Sequence, residues 1–325
     1  MTEVRRTAFV LGAGFSVEEQ YPLVRTMKEQ VIHFLEAERH SAYWTFMKPG
    51  NGGYGRGQFY AGLEIIDPDN DLQFEELLVA LRKRLKQNIA IDPCHITEKV
   101  LRIGAARLLW AIHNSIWEVA TSYKNFAGWL GMKGLPHGLI SFNWDLQAEL
   151  LLTQANVPWS YSITSGIPVI KPHGSITWSG HLREGLVPEY AYWQSIAVGS
   201  NLSFDSAEPL SNPFKQGINM NLNYMIFPGD PDLPDADADV ALLWRDVAAV
   251  IKNAECVAFI GYSLPAYDSY AARFFKEAVQ AKKIVAINPA FDHLQRFKAL
   301  FGDAVELRQE KFKECPYGRS GPSSG

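Results

Sequence analysis

Short runs of apolar residues, each closed by glycine, asparagine or proline, recur along the chain. The runs show no alternation of apolar and polar positions, which is typical of strands buried on both faces of a parallel sheet. They predict strands at 8–11, 138–142, 169–170, 225–227, 257–260 and 284–287.

Between these runs, apolar residues recur at three- and four-residue spacing, which is the period of an amphipathic helix. The spacing predicts helices at 23–36, 146–154, 240–253 and 266–279. Strand, glycine turn and helix follow one another repeatedly. We therefore predict an α/β fold with a doubly wound, Rossmann-like parallel sheet.

Two stretches depart from this succession. Residues 34–129 are mostly helical in pattern, with helices predicted at 74–85 and 99–123, and residues 174–223 are irregular. We interpret 34–129 as a helical insertion or small domain, and 1–33 with 130–319 as the α/β domain. The small polar residues 320–325 are interpreted as a cloning remnant.

Composition narrows the possible classes of protein. The formal net charge of −4 gives no basic field, so we expect no direct binding to nucleic acid. No run approaches the roughly 18 apolar residues that span a bilayer, so we expect a cytoplasmic protein without membrane contact. Cys94, Cys256 and Cys315 are far apart, which favours a reducing compartment over a disulfide framework.

The first candidate segment follows the first predicted strand and contains Gly12, Ala13, Gly14 and Ser16. Glycines there allow the backbone to approach a pyrophosphate, and the next helix offers N–H groups to it. Val17 replaces the third glycine of the dinucleotide fingerprint, and no acidic strand end follows at the spacing of a dehydrogenase. The alternative is a tight strand-to-helix turn.

Two further segments place polar side chains after predicted strands. Asn143 and Asp145 follow the strand at 138–142, and the alternative for either is a helix N-cap. His173 follows the strand at 169–170, between Pro172 and Gly174. Histidine titrates near neutrality and can act as a general base, although a lone histidine is more often structural.

Gly261 and Ser263 follow the strand at 257–260, and Asn288 ends the last predicted strand. Gly261 permits close backbone approach, and Ser263 can bond a phosphate or a ribose. All these segments would meet at the carboxyl edge of a parallel sheet, where such folds bind ligands. Ordinary turn chemistry is the alternative for each.

The segments GAGFS, SFNWD, KPHGS, GYS and IN occur in this order between Ala8 and Asn288. This set resembles the sirtuin superfamily, whose members carry a GAG-S turn, T-Q-N-I-D, HG, G-T/S-S and a late asparagine. Its form is most similar to the sirtuin-like domains of bacterial antiphage NAD-consuming effectors.

The resemblance implies NAD as substrate or ligand. It implies that Asn143 positions a water beside the nicotinamide ribose, that Asp145 contacts the carboxamide, and that His173 acts as a base. The other implied residues hold the pyrophosphate or line the adenosine half of NAD. They are Gly12, Ala13, Gly14 and Ser16 for the pyrophosphate, and Gly261, Ser263 and Asn288 for the adenosine.

One departure from the family separates two activities. Sirtuin deacylases carry a four-cysteine zinc module between HG and G-T/S-S, whereas only Cys256 lies between Gly174 and Ile260 here. We therefore expect no zinc or other metal. We expect an enzyme that hydrolyses NAD to nicotinamide and ADP-ribose, as a bacterial defence or toxin effector.

Two alternatives to hydrolysis stay open. One is a module that senses NAD or ADP-ribose without turnover. The other is a zinc-free protein deacylase or ADP-ribosyltransferase. A homo-oligomer or a partner effector subunit is a further expectation of the resemblance.

Overall fold

The computed structural model describes residues 6–37, 56–85, 93–131, 137–161, 163, 165–176 and 238–319. Within these ranges a sheet of seven parallel strands forms the centre of the fold. The strands are β1 (Thr7–Leu11), β2 (Gly138–Ser141), β3 (Trp159–Ser160), β4 (Ile167–Ile170), β5 (Cys256–Ile260), β6 (Lys283–Ile287) and β7 (Val305–Arg308).

The strand order is β3-β4-β2-β1-β5-β6-β7, so β2, β3 and β4 form the half of the sheet on one side of β1, and β5, β6 and β7 form the other half. Leu11 pairs with Ser141 on one side and with Ile260 on the other. The loops after β1, β2 and β5 therefore leave the sheet level with each other, at its topological switch point. The predicted doubly wound, Rossmann-like fold is confirmed.

Helices cover the sheet and build a second layer beside it. They are α1 (Ala13–Ser16), α2 (Val24–Ala37), α3 (Arg56–Ile66), α4 (Phe74–Leu85), α5 (Cys94–Ser115), α6 (Thr121–Leu130), α7 (Gln147–Gln154), α8 (Ala238–Asn253), α9 (Ser269–Ala278), α10 (Phe291–Phe301) and α11 (Pro316–Arg319). None of the helices in the described ranges is both long enough and apolar enough to cross a bilayer.

The apolar residues form two cores. The first lies on the sheet and includes α6, whose Tyr123 and Phe126 are fully buried there. The second lies among α2, α3, α4 and α5, and it meets the sheet through Trp144, Leu146 and Ile176. We call this second unit the helical core. The division of the chain into domains stays a prediction.

The helix predicted at 99–123 is wrong, because the chain breaks between α5 and α6. The apolar pattern continues through the break, but two side chains from other elements bind its backbone. Gln154 accepts the N–H of Val119 at 3.0 Å and Glu19 accepts the N–H of Ala120 at 2.6 Å. Tertiary contacts therefore determine where the helix is interrupted, and the local periodicity of the sequence does not show such contacts.

Other differences are smaller. The helix predicted at 266–279 begins instead at Ser269, where Asp268 caps it by accepting the N–H of Ala271. The strands β3 and β7 were not predicted. The predicted strand at 225–227 and the predicted remnant at 320–325 lie outside the described residues.

Candidate functional site

Three glycines bring the loops after β1 and β5 into backbone contact. The N–H of Gly12 donates to the carbonyl of Ile260, and that of Gly14 to the carbonyl of Gly261, both at 3.0 Å. A Cβ on Gly12 would stand 2.4 Å from the Cα of Tyr262. Gly261 adopts a φ of +62°, a left-handed conformation that suits glycine. Loop packing alone therefore requires these glycines.

This packing limits what the first turn can offer to a pyrophosphate. The N–H groups of Gly12 and Gly14 already have carbonyl partners, and Ser16 is fully buried with its hydroxyl bonded to the Asn143 amide. Ala13 and Gly14 remain partly exposed. The pyrophosphate assignment stays a prediction, and it now depends on Ala13 and Gly14 more than on Ser16.

Asn143 connects the loop after β2 to the turn after β1. Its side-chain nitrogen donates to the carbonyl of Gly12 at 2.9 Å and to the hydroxyl of Ser16 at 3.0 Å. Its own N–H donates to Ser141 Oγ at 3.3 Å. Asn143 does not cap α7, because its side chain points to another loop. The amide instead joins two strand ends.

Asp145 lies behind Asn143 and is buried. Its Oδ1 accepts the N–H of Gln147, the first residue of α7, at 2.9 Å, so it satisfies the helix start as an N-cap residue would. Burial raises the pKa of Asp145, and the nearby Lys171 ammonium and the N–H of Gln147 only partly oppose this. The Asp145 carboxyl thus accepts a hydrogen bond from the start of α7, and it is also an acid with a raised pKa.

A buried ion pair that sequence reasoning missed lies beneath this loop. Lys171 Nζ donates to Glu149 Oε1 at 3.0 Å and also to the backbone carbonyl of Asp145. Tyr161 donates its hydroxyl to the same Glu149 oxygen at 3.0 Å. The only sequence signal was a lysine directly after an apolar strand, in the segment that carries His173.

His173 is held from several sides. Its Nε2 lies 3.2 Å from Asp268 Oδ2, and Trp144 donates its indole N–H to the His173 carbonyl at 2.9 Å. The ring of Phe142 meets the imidazole edge-to-face at 4.7 Å. Gly174 adopts a φ of +74°, which turns the chain just after the histidine. His173 is therefore part of a histidine–aspartate pair.

Asp268 completes that pair. Tyr262 donates its hydroxyl to Asp268 Oδ2 at 2.9 Å, and Ala271 donates its N–H to Oδ1 at 3.4 Å. Burial and the Asp268 charge raise the pKa of Tyr262, so the phenol keeps its proton and stays a donor. The sequence showed Asp268 only as a residue following the GYS segment. Its partnership with His173 depends on the fold.

The two residues expected at the adenosine differ in their surroundings. Asn288 is buried; its amide donates to the carbonyl of Tyr262 at 3.3 Å and its Oδ1 accepts the N–H of Ala290 at 2.9 Å. Ser263 is partly exposed, and its carbonyl accepts a bond from Arg296 at 3.3 Å. Asn288 thus joins two loops, whereas Ser263 is partly exposed and its hydroxyl makes no bond to a described residue.

Contacts join these groups into one cluster. Phe142 stacks on Tyr262 at 4.6 Å and touches His173, while the adjacent Asn143 reaches Gly12. The predicted residues after β1, β2, β4, β5 and β6 therefore meet at one edge of the sheet. Ser263, which is partly exposed, makes none of these contacts.

The described residues contain no group of three or more histidine, cysteine or acidic side chains placed to hold a metal ion. Residues 177–237, most of the stretch that holds zinc in deacylases, lie outside the described ranges. The expected absence of zinc stays a prediction. The three cysteines are buried, and no disulfide joins them.

The chain is similar to known proteins only in the path of its backbone. No protein-family model and no curated protein matches this chain. Among solved structures, it is similar to Sir2 in complex with an inhibitor, 2′-O-acetyl-ADP-ribose and a deacetylated peptide (TM-score 0.43, 14% identity, 95% of this chain and 89% of that one). It is also similar to Sir2Tm bound to a propionylated peptide (TM-score 0.40, 14% identity, 95% and 89%).

Proposed function

We propose that this chain binds NAD and hydrolyses its nicotinamide–ribose bond, releasing nicotinamide and ADP-ribose. The observation that carries the proposal is the joined cluster of Asn143, His173 and Asp268, which come from the loops after β2, β4 and β5. Open α/β sheets bind their ligands at this position. A nucleotide lying across the edge would meet a base, an oriented amide and a carboxyl together.

The His173–Asp268 pair suits the proton transfer that hydrolysis needs. When Nε2 donates its hydrogen to Asp268, Nδ1 keeps its lone pair, and no described residue donates to it. Water attacks the ribose C1′, the C1′–N bond breaks and its electron pair leaves with neutral nicotinamide. The proton of the water passes to His173, and the Asp268 carboxylate stabilises the resulting imidazolium.

Asn143 has an orientation fixed by its partners. A carbonyl only accepts, so the bond to Gly12 must come from the amide nitrogen, and the other N–H reaches Ser16. The amide oxygen is left as an acceptor, since no described residue donates to it. It would hold the attacking water or a ribose hydroxyl while positive charge grows on the ribose.

The assignment to a bacterial defence or toxin effector rests on the sequence resemblance alone. A sensing module that binds NAD or ADP-ribose is the second candidate, and the extensive protein bonding of Ser16, Asn143 and Asn288 favours it. Groups already satisfied by the protein can serve a rigid binding site as well as a catalytic one.

Nicotinamide release from NAD by the purified chain separates the two candidates. We expect His173→Ala to lower turnover roughly 10²–10⁴-fold while NAD affinity, measured by calorimetry, stays close to the parent value. Asn143→Ala should also remove turnover, with some loss of melting temperature because two loops lose their link. The exposed His33 on α2 provides the control, and His33→Ala should behave like the parent.

The proposal fails if the parent protein binds NAD but releases no nicotinamide, alone or with candidate activators. That result would establish the sensing module. Nicotinamide release that requires an acylated peptide or a protein acceptor would instead indicate a deacylase or an ADP-ribosyltransferase.

A further inference from the structure

The helical core reaches the sheet edge through the first turn of α4. Phe74 is fully buried and meets the ring of Trp144 at 6.2 Å, and Trp144 donates to the carbonyl of His173. The next residue, Glu75, accepts a hydrogen bond from the hydroxyl of Tyr267. The first turn of α4 therefore contacts the loop of Asp268 directly and reaches His173 through Trp144.

The loop of Asp268 has a conformation that needs support. Leu264 adopts a φ of +46°, and a leucine in this left-handed region costs of order 1 kcal/mol. The turn that follows closes through a 3.0 Å bond from the N–H of Asp268 to the carbonyl of Pro265. Tyr267 precedes Asp268 directly, so the bond to Glu75 fixes the turn from outside.

The groups that face Glu75 come from two loops and from α4 itself. Burial raises the pKa of Glu75; the Tyr267 hydrogen bond and His173 act to lower it, while Asp268 and Glu76 raise it further. Tyr267 also keeps its proton, because burial and the Glu75 charge raise its pKa. Glu75 thus lies within the electrostatic field of the histidine–aspartate pair as well as in contact with its loop.

We propose that Glu75 is a positioning residue of the His173–Asp268 pair, a role that rests on the hydrolytic function proposed above. Its carboxyl holds Tyr267, and with it the turn that sets Asp268 within 3.2 Å of the His173 imidazole. The helical core would then contribute a functional residue to the site. Neither the hydrophobic pattern nor the family resemblance assigned it one.

The kinetic test compares Glu75→Ala, Glu75→Gln and Tyr267→Phe with Glu76→Gln. Glu76 lies on the same turn of α4 and accepts the N–H of Gln73, so it controls for effects on the helix start. We expect Glu75→Ala and Tyr267→Phe to lower kcat roughly tenfold, below the 10²–10⁴-fold contribution of a base itself, with KM little changed. Glu75→Gln keeps an acceptor for Tyr267 and should recover most of kcat.

A second readout does not depend on turnover. Nitrogen NMR spectra of histidine-labelled protein report which imidazole nitrogen carries the proton, and His173→Gln assigns the signal. In the parent and in Glu76→Gln we expect His173 to carry it on Nε2, toward Asp268. In Glu75→Ala the signal should move toward the mixture of tautomers found in free histidine.

The outcomes separate the two proposals. A parent that releases no nicotinamide but shows the Nε2 tautomer, lost in Glu75→Ala, refutes hydrolysis and keeps the positioning role. An active parent whose kcat, pH profile and His173 signal are all unchanged in Glu75→Ala refutes the positioning role and keeps hydrolysis.

Discussion

Two buried lysine–carboxylate pairs in this protein have almost the same geometry and very different surroundings. Lys28 and Asp67 lie 2.9 Å apart in the helical core, with side chains 4% and 3% exposed. Lys171 and Glu149 lie 3.0 Å apart beneath the site, with side chains 0% and 1% exposed. We call them the helical-core pair and the sheet-edge pair.

In the helical-core pair, the carboxylate oxygen that does not face the lysine is hydrogen-bonded to the backbone, and the lysine has a backbone acceptor as well. Asp67 Oδ1 accepts the N–H groups of Asp71 at 2.9 Å and Leu72 at 3.1 Å, and Lys28 donates to the Asn70 carbonyl at 3.1 Å. Burial alone would raise the pKa of Asp67, but the bonds from Lys28 and Leu72 bring it below its usual range. This pair is fully explained by folding.

The sheet-edge pair and its surroundings include buried polar atoms without a hydrogen-bond partner among the described residues. Glu149 Oε2 and both amide atoms of Gln147 are buried without a hydrogen bond in the part of the chain that is described. Asp145, bonded to the same segment, has a raised pKa. Unsatisfied buried groups cost about 1–3 kcal/mol each, so the sheet-edge pair carries a cost that the helical-core pair avoids. We expect the sheet-edge pair, which lies beneath the proposed site, to be the one that matters for ligand binding.

The largest effect should come from removing each lysine. Breaking a buried pair leaves an uncompensated charge, so Lys28→Met and Lys171→Met should each lower the free energy of unfolding by about 3–5 kcal/mol in urea titrations. Only Lys171→Met should also weaken NAD binding, because Lys171 holds the carbonyl of Asp145. Affinities are measured by calorimetry at a temperature where both variants are folded. Equal NAD affinity in the two variants would remove the functional distinction.

The two regions should also respond to pH with opposite sign. The folded pKa of Asp67 is lowered, so its contribution to stability is present above the unfolded pKa and is lost as pH falls through the folded one. The folded pKa of Asp145 is raised, so its contribution is present below the unfolded pKa and is lost as pH rises through the folded one.

The isosteric variants Asp67→Asn and Asp145→Asn test this reversal. As pH rises toward about 4, Asp67→Asn should lose stability relative to the parent, and as pH rises above about 4, Asp145→Asn should gain stability relative to the parent. Both changes are measured as the free energy of unfolding in urea titrations at each pH. Parallel pH profiles for the two variants would show that the pairs do not differ as described.

The smallest effect distinguishes two residues at the sheet edge itself. Ser263→Ala should weaken NAD binding by roughly 0.5–1.5 kcal/mol and leave the melting temperature unchanged, since the hydroxyl makes no bond to a described residue. Asn288→Ala should lower the melting temperature first, because its amide joins two loops. Unchanged NAD affinity in Ser263→Ala would take Ser263 out of the proposed site.

The sequence predicted the strands that contain a run of apolar residues and missed the two that do not. β1, β5 and β6 are continuous apolar runs, whereas β7 alternates Val305, Glu306, Leu307 and Arg308 at the edge of the sheet. β3 has only two residues. Their pairing depends on a neighbouring strand already in place, and a local pattern does not contain that information.

The candidate site divides in the same way. The strand ends and their polar residues could be found because turns and glycines mark them. The partners of these residues could not be found, because the contacts join residues from distant segments of the chain. These contacts are Asp268 with His173, Lys171 with Glu149, and Tyr267 with Glu75. Such partners are specified by the topology of the sheet and by the docking of the helical core.

The interlocked glycines have a consequence for how this protein can diversify. Where Gly12, Gly14 and Gly261 meet, the two loops pack backbone against backbone, and a Cβ on any of these glycines would stand within about 3 Å of another main-chain atom. Mutation cannot add a side chain there without parting the loops. New ligand preferences must therefore arise at the rim, from positions such as Ala13 and Ser263, while the centre stays invariant.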